Sequence, residues 1–131
     1  MNKTATVTTG PGLPSRVELN TGITVVFDQR HEGREGDLEG PSSTEGVSAA
    51  LASCTAITLN VYASRKGWDL SGLEVSVETE YEGPNPTLFK VTVGYPDHLE
   101  ADQVERLERI ATRCPVHRLL AEATPIEVLT T

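Results

Sequence analysis

The sequence predicts an α+β protein in which antiparallel β-strands pack on one long buried central helix. Two observations predict this fold class. The stretch from Ser42 to Gly67 is apolar on nearly every face of a helix. The segments on both sides of it alternate apolar and polar residues and come in pairs separated by turn sequences. With 131 residues, the chain has the length of a single domain, residues 1–131, and can bury roughly two thirds of its unfolded surface.

Three strands are predicted in the N-terminal part of the chain. Residues Lys3 to Thr9 are rich in β-branched side chains, which favour an extended backbone. The segment Gly10 to Pro14 has the composition of a turn, and alternation resumes from Arg16 to Leu19, so the two segments predict a hairpin. The apolar segment Gly22 to Phe27 adds a third strand.

A long loop and a clearly marked helix follow. Residues Asp28 to Pro41 are charged and glycine-rich without apolar periodicity, which predicts a loop of a length that is usually functional or mobile. The helix begins with a capping box, because Ser42 and Glu45 have the spacing at which each side chain can bond the other's backbone N–H. Gly67 is suited to the left-handed conformation that ends many helices.

Apolar side chains cover most faces of this helix. They recur at steps of three and four residues, and further apolar residues fill many of the remaining positions. A helix that is apolar nearly all round belongs inside a protein. The residues predicted to face the interior are Val47, Ala50, Leu51, Cys54, Ile57 and Val61.

A second hairpin is predicted after the helix. Apolar or threonine side chains alternate with polar ones from Leu73 to Tyr81, so one face of this strand faces the core and the other is acidic. A turn at Gly83 to Pro86 leads into a second alternating segment, Leu88 to Tyr95. The glutamates on the outer face are interpreted as a solvated sheet surface.

The C-terminal part predicts two helices and a last strand. From Leu99 to Arg113, apolar residues repeat with helical spacing, and Cys114 ends this stripe. Because proline is favoured at the first position of a helix, Pro115 to Ala123 is predicted as a short helix capped by Cys114. The tail from Ile126 to Leu129 is predicted to be a strand.

The charge of the chain excludes some classes of partner. The formal net charge is -8 at pH 7, so the long-range field repels nucleic acids and anionic membrane surfaces. The N-terminal segment lacks the apolar core of a signal peptide, and hydroxyl and amide side chains interrupt the long apolar run. We therefore expect a cytoplasmic protein that binds neither nucleic acid nor a membrane.

The two cysteines have the most reactive side chains in the sequence. A cysteine is a good nucleophile only as a thiolate. Cys54 lies in mid-helix and gains little from the helix dipole, so it would need a nearby cation, for which Arg16 is one candidate among several. Cys114, at a predicted helix N-terminus, is better placed to be a thiolate and to take part in thiol exchange.

Three interpretations of the cysteines are open from the residues alone. The pair could form a reversible dithiol, or both could be small buried hydrophobic residues. In the third interpretation, Cys114 and His117 of the segment CPVH are two metal ligands.

Several motifs resemble one known family. SAALASCTAITLNVYASRKGW followed by LSGLEVSVE is similar to the central helix and next strand of the OsmC/Ohr family, and RLERIATRCPVHRLL is similar to its second-cysteine region. Asp28 and the Gly40-Pro41 pair also resemble the family's approach to the central helix. The similarity extends from about Asp28 to Leu120, and both cysteine motifs occur in the family's order.

The resemblance implies both a fold and an activity. It implies an OsmC-like fold in an intertwined homodimer, with central helices packed together and active sites at the dimer interface. It also implies a thiol-dependent peroxidase without haem, metal or other cofactor, which reduces organic hydroperoxides and is regenerated by an external dithiol. Cys54 would be the peroxidatic residue and Cys114 the resolving one.

The family also implies two supporting residues. An arginine from the N-terminal strands organises the family's site, and Arg16 is the candidate here. A glutamate near the start of the central helix acts with it. One branch of the family has this glutamate at the position of Glu45, whereas the other has it one residue earlier, at Thr44 in this chain. Glu45 therefore has two readings, as a helix cap or as a partner of the catalytic arginine.

The start of the helix departs from the family pattern. It lacks the usual proline at Ser43 and has Gly46 and Ser48 where bulky leucines are common. These changes are expected to loosen the first turn and to widen or weaken the pocket. They motivate an alternative function, a catalytically degenerate member that binds a small apolar ligand or senses redox state.

Overall fold

The computed structural model describes residues 2–12, 14–33 and 35–130. The predicted turn from Gly10 to Pro14 includes Leu13, which lies outside the described residues. The chain divides into two compact units, residues 1–47 and 48–131.

The first unit contains a three-stranded antiparallel sheet. Its strands are β1 (Ala5–Val7), β2 (Ser15–Leu19) and β3 (Thr24–Phe27), and β2 lies in the middle. The three predicted strands are confirmed, with β1 and β3 shorter than the β-favouring sequence around them. Between β2 and β3 the backbone turns at Gly22, whose φ of 91° is open to glycine at little cost, and its N–H donates to the carbonyl of Leu19.

The loop from Asp28 to Pro41 has no helix or strand among its described residues, as predicted. Asp28 is 3% exposed and organises this loop. Its carboxylate accepts the backbone N–H of Gln29 at 2.8 Å and that of Glu39 at 3.0 Å. Its own backbone N–H donates to the carbonyl of Pro41 at 2.9 Å. One buried carboxylate therefore closes the loop just before the first helix begins.

Helix α1 (Ser43–Lys66) matches the predicted central helix. Its C-terminus is a Schellman motif, in which the N–H of Trp68 donates to the carbonyl of Ala63 and that of Gly67 donates to the carbonyl of Ser64. Gly67 has the left-handed φ of 73° that this motif requires. The predicted stop signal is therefore confirmed.

The burial of α1 differs from the prediction. In the single chain, the buried side chains of α1 form one stripe along the helix, with one buried residue at every fourth position. Leu51 belongs to it, but Ile57 is 59% exposed and Val61 is 46% exposed. The helix has more apolar faces than its own chain covers. The buried stripe consists of Leu51, Thr55, Leu59 and Ala63.

By length and composition alone, α1 is also apolar enough to be a candidate membrane span. The core helix of a soluble domain passes the same test. Hydroxyl and amide side chains interrupt its exposed face, at Ser53, Asn60 and Ser64.

The second unit adds a hairpin and two helices to α1. Strands β4 (Glu74–Glu82) and β5 (Asn85–Gly94) pair antiparallel, which confirms the predicted hairpin. Helix α2 (Ala101–Ala111) and helix α3 (Pro115–Ala121) follow. The core of this unit joins α1 and α2 and consists of Leu59, Ala63, Leu70 and Leu107.

The predicted last strand is wrong. The described residues after α3 form no strand, and the apolar side chains of the tail are almost fully exposed: Ile126 by 90%, Val128 by 87% and Leu129 by 77%. Extended apolar sequence becomes a strand only where an edge pairs with its backbone, and no described residue of this chain supplies one. Helix α3 also ends two residues before the predicted Ala123, which has a left-handed φ of 49°.

Candidate active site

The two cysteines lie together in the second unit. Cys54, on α1, is half-buried, and its thiol interacts with the thiol of Cys114. It also interacts with the backbone N–H of Val116 and the side chain of Thr58. Thr58 is four residues after Cys54 and therefore lies on the same face of α1. This spacing alone predicts that the two side chains are neighbours. The Val116 contact could not be read from the sequence, because it depends on how α3 packs.

Cys114 is the N-cap of α3, as predicted. It is completely buried, and its sulfur accepts the backbone N–H of His117 at 3.3 Å. Pro115 occupies the first helical position, where its missing N–H costs nothing. The carbonyl of Cys114 accepts the N–H of Arg118 at 3.1 Å. The sequence CPVH thus holds this sulfur at the start of a helix.

The environment favours the neutral form of the Cys54 thiol. Burial raises its pKa most, and the neighbouring Cys114 raises it further, because two negative sulfurs repel. The Val116 N–H and the Thr58 hydroxyl lower the pKa but do not offset these effects. At neutral pH little of this thiol is ionised, so its reactivity depends on a further stabilising charge.

Glu45 forms the predicted capping box. Its carboxylate accepts the backbone N–H of Ser42 at 3.0 Å, and its own N–H donates to the Ser42 hydroxyl at 3.1 Å. The hydrogen bond from the Ser42 backbone N–H to the carboxylate has the largest effect and lowers the pKa of Glu45. The Ser42 hydroxyl beside the carboxylate lowers this pKa further. Within the described residues no ion pair joins Glu45 to Arg16. The geometry supplies the cap, and the role beside an arginine stays a prediction.

Arg16 is the second residue of β2 and lies opposite Val26 of β3. Its side chain is exposed, on the face of the strand opposite to that of Ser15 and Val17. Its predicted role as the activating cation stays a prediction.

The unusual residues at the start of α1 are packed. A side chain at Gly46 would collide with the ring of Phe27, which occupies that space. The hydroxyl of Ser48 lies 2.6 Å from that of Thr79 on β4. The expectation of a loosened first turn is therefore not met, because the two small residues have specific neighbours and the turn is capped. Neither Phe27 nor Thr79 was predicted to take part.

The described residues give little support to the interpretation of Cys114 and His117 as metal ligands. Over the described ranges, no group of three or more histidine, cysteine or acidic side chains is placed to hold a metal ion. Cys114 and His117 are joined through a backbone N–H.

Antiparallel strands, one long helix carrying a cysteine and a second cysteine at the start of a short helix define a known class of α+β protein. The model of the OsmC-like protein family matches residues 34–129, and the chain belongs to that family. The resemblance read from the two cysteine motifs and the predicted fold class are therefore confirmed. A search of curated proteins finds no match.

Solved structures show the same fold at low sequence identity. An OsmC-like protein from Mycoplasma pneumoniae is 14% identical, with a TM-score of 0.75 over 92% of this chain and 88% of that one. An organic hydroperoxide resistance protein OsmC from Legionella pneumophila is 19% identical, with a TM-score of 0.61 over 92% and 89%. The organic hydroperoxide resistance protein OhrB of Bacillus subtilis is 20% identical, with a TM-score of 0.51 over 88% of each chain.

Proposed function

We propose that this protein is a thiol-dependent peroxidase that reduces organic hydroperoxides to alcohols. The observation that carries the proposal is the proximity of the thiols of Cys54 and Cys114, which raises the pKa of Cys54, in a member of the OsmC-like family. Relatives of the same fold that are named organic hydroperoxide resistance proteins support the choice of substrate.

The proposed reaction has two steps before reduction. The Cys54 thiolate attacks the distal peroxide oxygen, the O–O bond breaks, and the leaving alkoxide takes a proton to become the alcohol. Cys54 is then a sulfenic acid. The Cys114 thiolate attacks its sulfur, water leaves, and a Cys54–Cys114 disulfide forms. An external dithiol restores both thiols by two exchanges and is itself oxidised to a disulfide.

Arg16 is proposed as the cation that this chemistry needs, with Glu45 as its partner. The need follows from the raised pKa of Cys54. A guanidinium within a few ångströms of a thiolate lowers its pKa by roughly 1–3 units and also stabilises the charge that develops on the leaving oxygen.

We expect Arg16→Gln to shift the pH dependence of Cys54 alkylation. Without its cation, Cys54 keeps the raised pKa that burial and Cys114 give it. The rate should then keep rising with pH, by up to about tenfold per pH unit, because the thiolate fraction grows in that way below the pKa. The natural protein should level off at lower pH. Alkylation of the Cys54 peptide by iodoacetamide, followed by mass spectrometry, measures both profiles.

Arg109→Gln, in the last turn of α2, is the matched control and should behave like the natural protein. Coinciding profiles for the natural protein and Arg16→Gln would exclude Arg16 as the activating cation.

A homodimer is the proposed assembly. It is supported by the apolar side chains that α1 leaves exposed, above all Ile57 and Val61. A second copy that places its own α1 against this face would bury them. Analytical ultracentrifugation of the purified chain distinguishes a dimer from a monomer.

The activity is tested by the consumption of cumene hydroperoxide with dithiothreitol as the reductant. Cys54→Ser should reduce the rate by at least about 10³-fold, because a hydroxyl of pKa far above 7 cannot replace the thiolate. Ser53→Ala, at the neighbouring exposed position, is the control and should retain the rate. Equal rates for Cys54→Ser and the natural protein would sink the proposal.

A second candidate function is a redox-sensing or ligand-binding member without turnover. The raised pKa of Cys54 favours it, because a mostly neutral thiol is a slow nucleophile. In that case the natural protein consumes no hydroperoxide in the same assay, although its two cysteines still form a disulfide on mild oxidation.

A further inference from the structure

The hydroxyl of Thr58 lies beside the sulfur of Cys54. Thr58 is four residues after Cys54 on α1, a spacing that places the two Cβ atoms about 5–6 Å apart on one face of the helix. Both side chains are half-buried, and that of Thr58 is hydrogen-bonded to the Cys54 thiol. The hydroxyl is therefore a hydrogen-bond donor placed directly at the atom that would react with a hydroperoxide.

A neighbouring threonine shows the bond that Thr58 does not make. Threonine in a helix often donates its hydroxyl to the backbone carbonyl four residues earlier. Thr55 does so, and its hydroxyl donates to the carbonyl of Leu51 at 2.8 Å. The equivalent acceptor for Thr58 is the carbonyl of Cys54. Over the described ranges no bond joins Thr58 to that carbonyl, and its side chain bonds the sulfur instead.

Few groups act on the Cys54 sulfur. The thiol of Cys114 and the backbone N–H of Val116 reach it from the C-terminal part of the chain, and the Thr58 hydroxyl reaches it from α1. Within the part of the chain that the structure describes, Cys114 is the only titratable group among them, and it disfavours the thiolate. The two donors favour the thiolate, because a negative sulfur accepts a stronger hydrogen bond than a neutral one. Of these donors, only the Thr58 hydroxyl belongs to a side chain that a substitution can remove.

We propose that Thr58 is a catalytic residue, whose hydroxyl donates a hydrogen bond to the reacting sulfur of Cys54 and stabilises the thiolate that attacks the hydroperoxide. The inference rests on the proposed function for the role of Cys54. The donor is preorganised, since one helix carries both side chains and the branched Cβ of threonine restricts its rotamers. It therefore stabilises the thiolate without having to be reoriented when the charge appears.

The test measures the pH dependence of Cys54 alkylation by iodoacetamide in Thr58→Val. Valine keeps the branched shape of threonine and removes only the donor. The thiolate fraction at neutral pH should fall about tenfold, the effect of one hydrogen bond to a charged group. A less stabilised thiolate is the better nucleophile, which should recover about threefold of that loss. Alkylation should therefore be about threefold slower at neutral pH and about threefold faster at the alkaline pH where the profiles level off, so the two profiles cross.

Two variants are matched controls. Thr58→Ser retains a hydroxyl at the same position and should restore the profile of the natural protein. Thr55→Val removes the hydroxyl that bonds the helix backbone and should leave the Cys54 profile unchanged. A change in packing alone would shift the rate in the same direction at every pH and would not be reversed by serine. Profiles of Thr58→Val and the natural protein that coincide or never cross, or a Thr58→Ser profile equal to that of Thr58→Val, would overturn the proposal.

Hydroperoxide kinetics separate this inference from the proposed function. Thr58→Val should lower kcat/KM for cumene hydroperoxide about threefold at neutral pH, the same factor as in alkylation. Alkylation needs no hydroperoxide, so crossing profiles in a protein that consumes none would support the hydrogen bond to the thiolate and contradict the proposed function. Equal consumption by Thr58→Val and the natural protein, with coinciding alkylation profiles, would do the reverse.

Discussion

Treatment with one equivalent of cumene hydroperoxide should convert the protein to a Cys54–Cys114 disulfide. The Cys114 thiol is near enough to Cys54 to raise its pKa, and Cys114 is held as the N-cap of α3. Tryptic digestion without reductant, followed by mass spectrometry, should show one peptide pair linked through these residues.

Cys114→Ser should stop the reaction one step earlier. Its Cys54 has no thiol partner, so a sulfenic acid should accumulate and be trapped by dimedone. Cys54→Ser is the complementary control and should form neither product. If both cysteines remain reduced in the natural protein after one equivalent of hydroperoxide, neither residue has the proposed role.

Ile57→Asp should convert a dimer into a monomer. Ile57 is the most exposed large apolar side chain of α1, at 59%. Together with Val61 it lines a shallow apolar groove on the surface of this helix. An unpaired carboxylate buried between two helices costs several kcal/mol, enough to dissociate a typical dimer at micromolar concentration. The mass measured by sedimentation should fall from twice the chain mass of 14.1 kDa to the chain mass itself.

The same substitution should leave the single chain folded. Its position is exposed within the chain, so the circular dichroism spectrum of Ile57→Asp should match that of the natural protein. Leu119→Asp, at a 45% exposed leucine on α3, is the matched control and should not change the sedimenting mass. A monomeric natural protein, or a dimeric Ile57→Asp, would contradict the proposed interface.

The elements of this fold follow from local sequence rules. Ser42 and Glu45 begin α1 and Gly67 ends it as their types and spacing predict, because caps depend only on residues within one or two turns. The cap of Cys114 on α3 was predictable for the same reason, since Pro115 follows it directly.

Contacts between distant residues were harder to predict. The start of α1 has Gly46 and Ser48 where the family commonly has leucines, which predicted a loose first turn. The Phe27 ring over Gly46 and the Thr79 hydroxyl beside Ser48 explain these two small residues. The tail from Ile126 to Leu129 has the composition of a strand, but no described edge of the chain pairs with it. Composition sets a preference for extended backbone, and only a neighbouring backbone makes a strand.

The two sides of the long central helix α1 have different explanations. By itself the sequence determined the bounds of α1, the order of the elements as far as α3 and the two cysteine motifs, because these depend on short-range periodicity and capping. Tertiary structure alone decided that Leu59 is buried while Ile57 is exposed, and that the Cys114 thiol lies near enough to Cys54 to raise its pKa. Both depend on which apolar face of α1 packs against the second hairpin and the C-terminal helices. A helix that is apolar nearly all round does not specify that face.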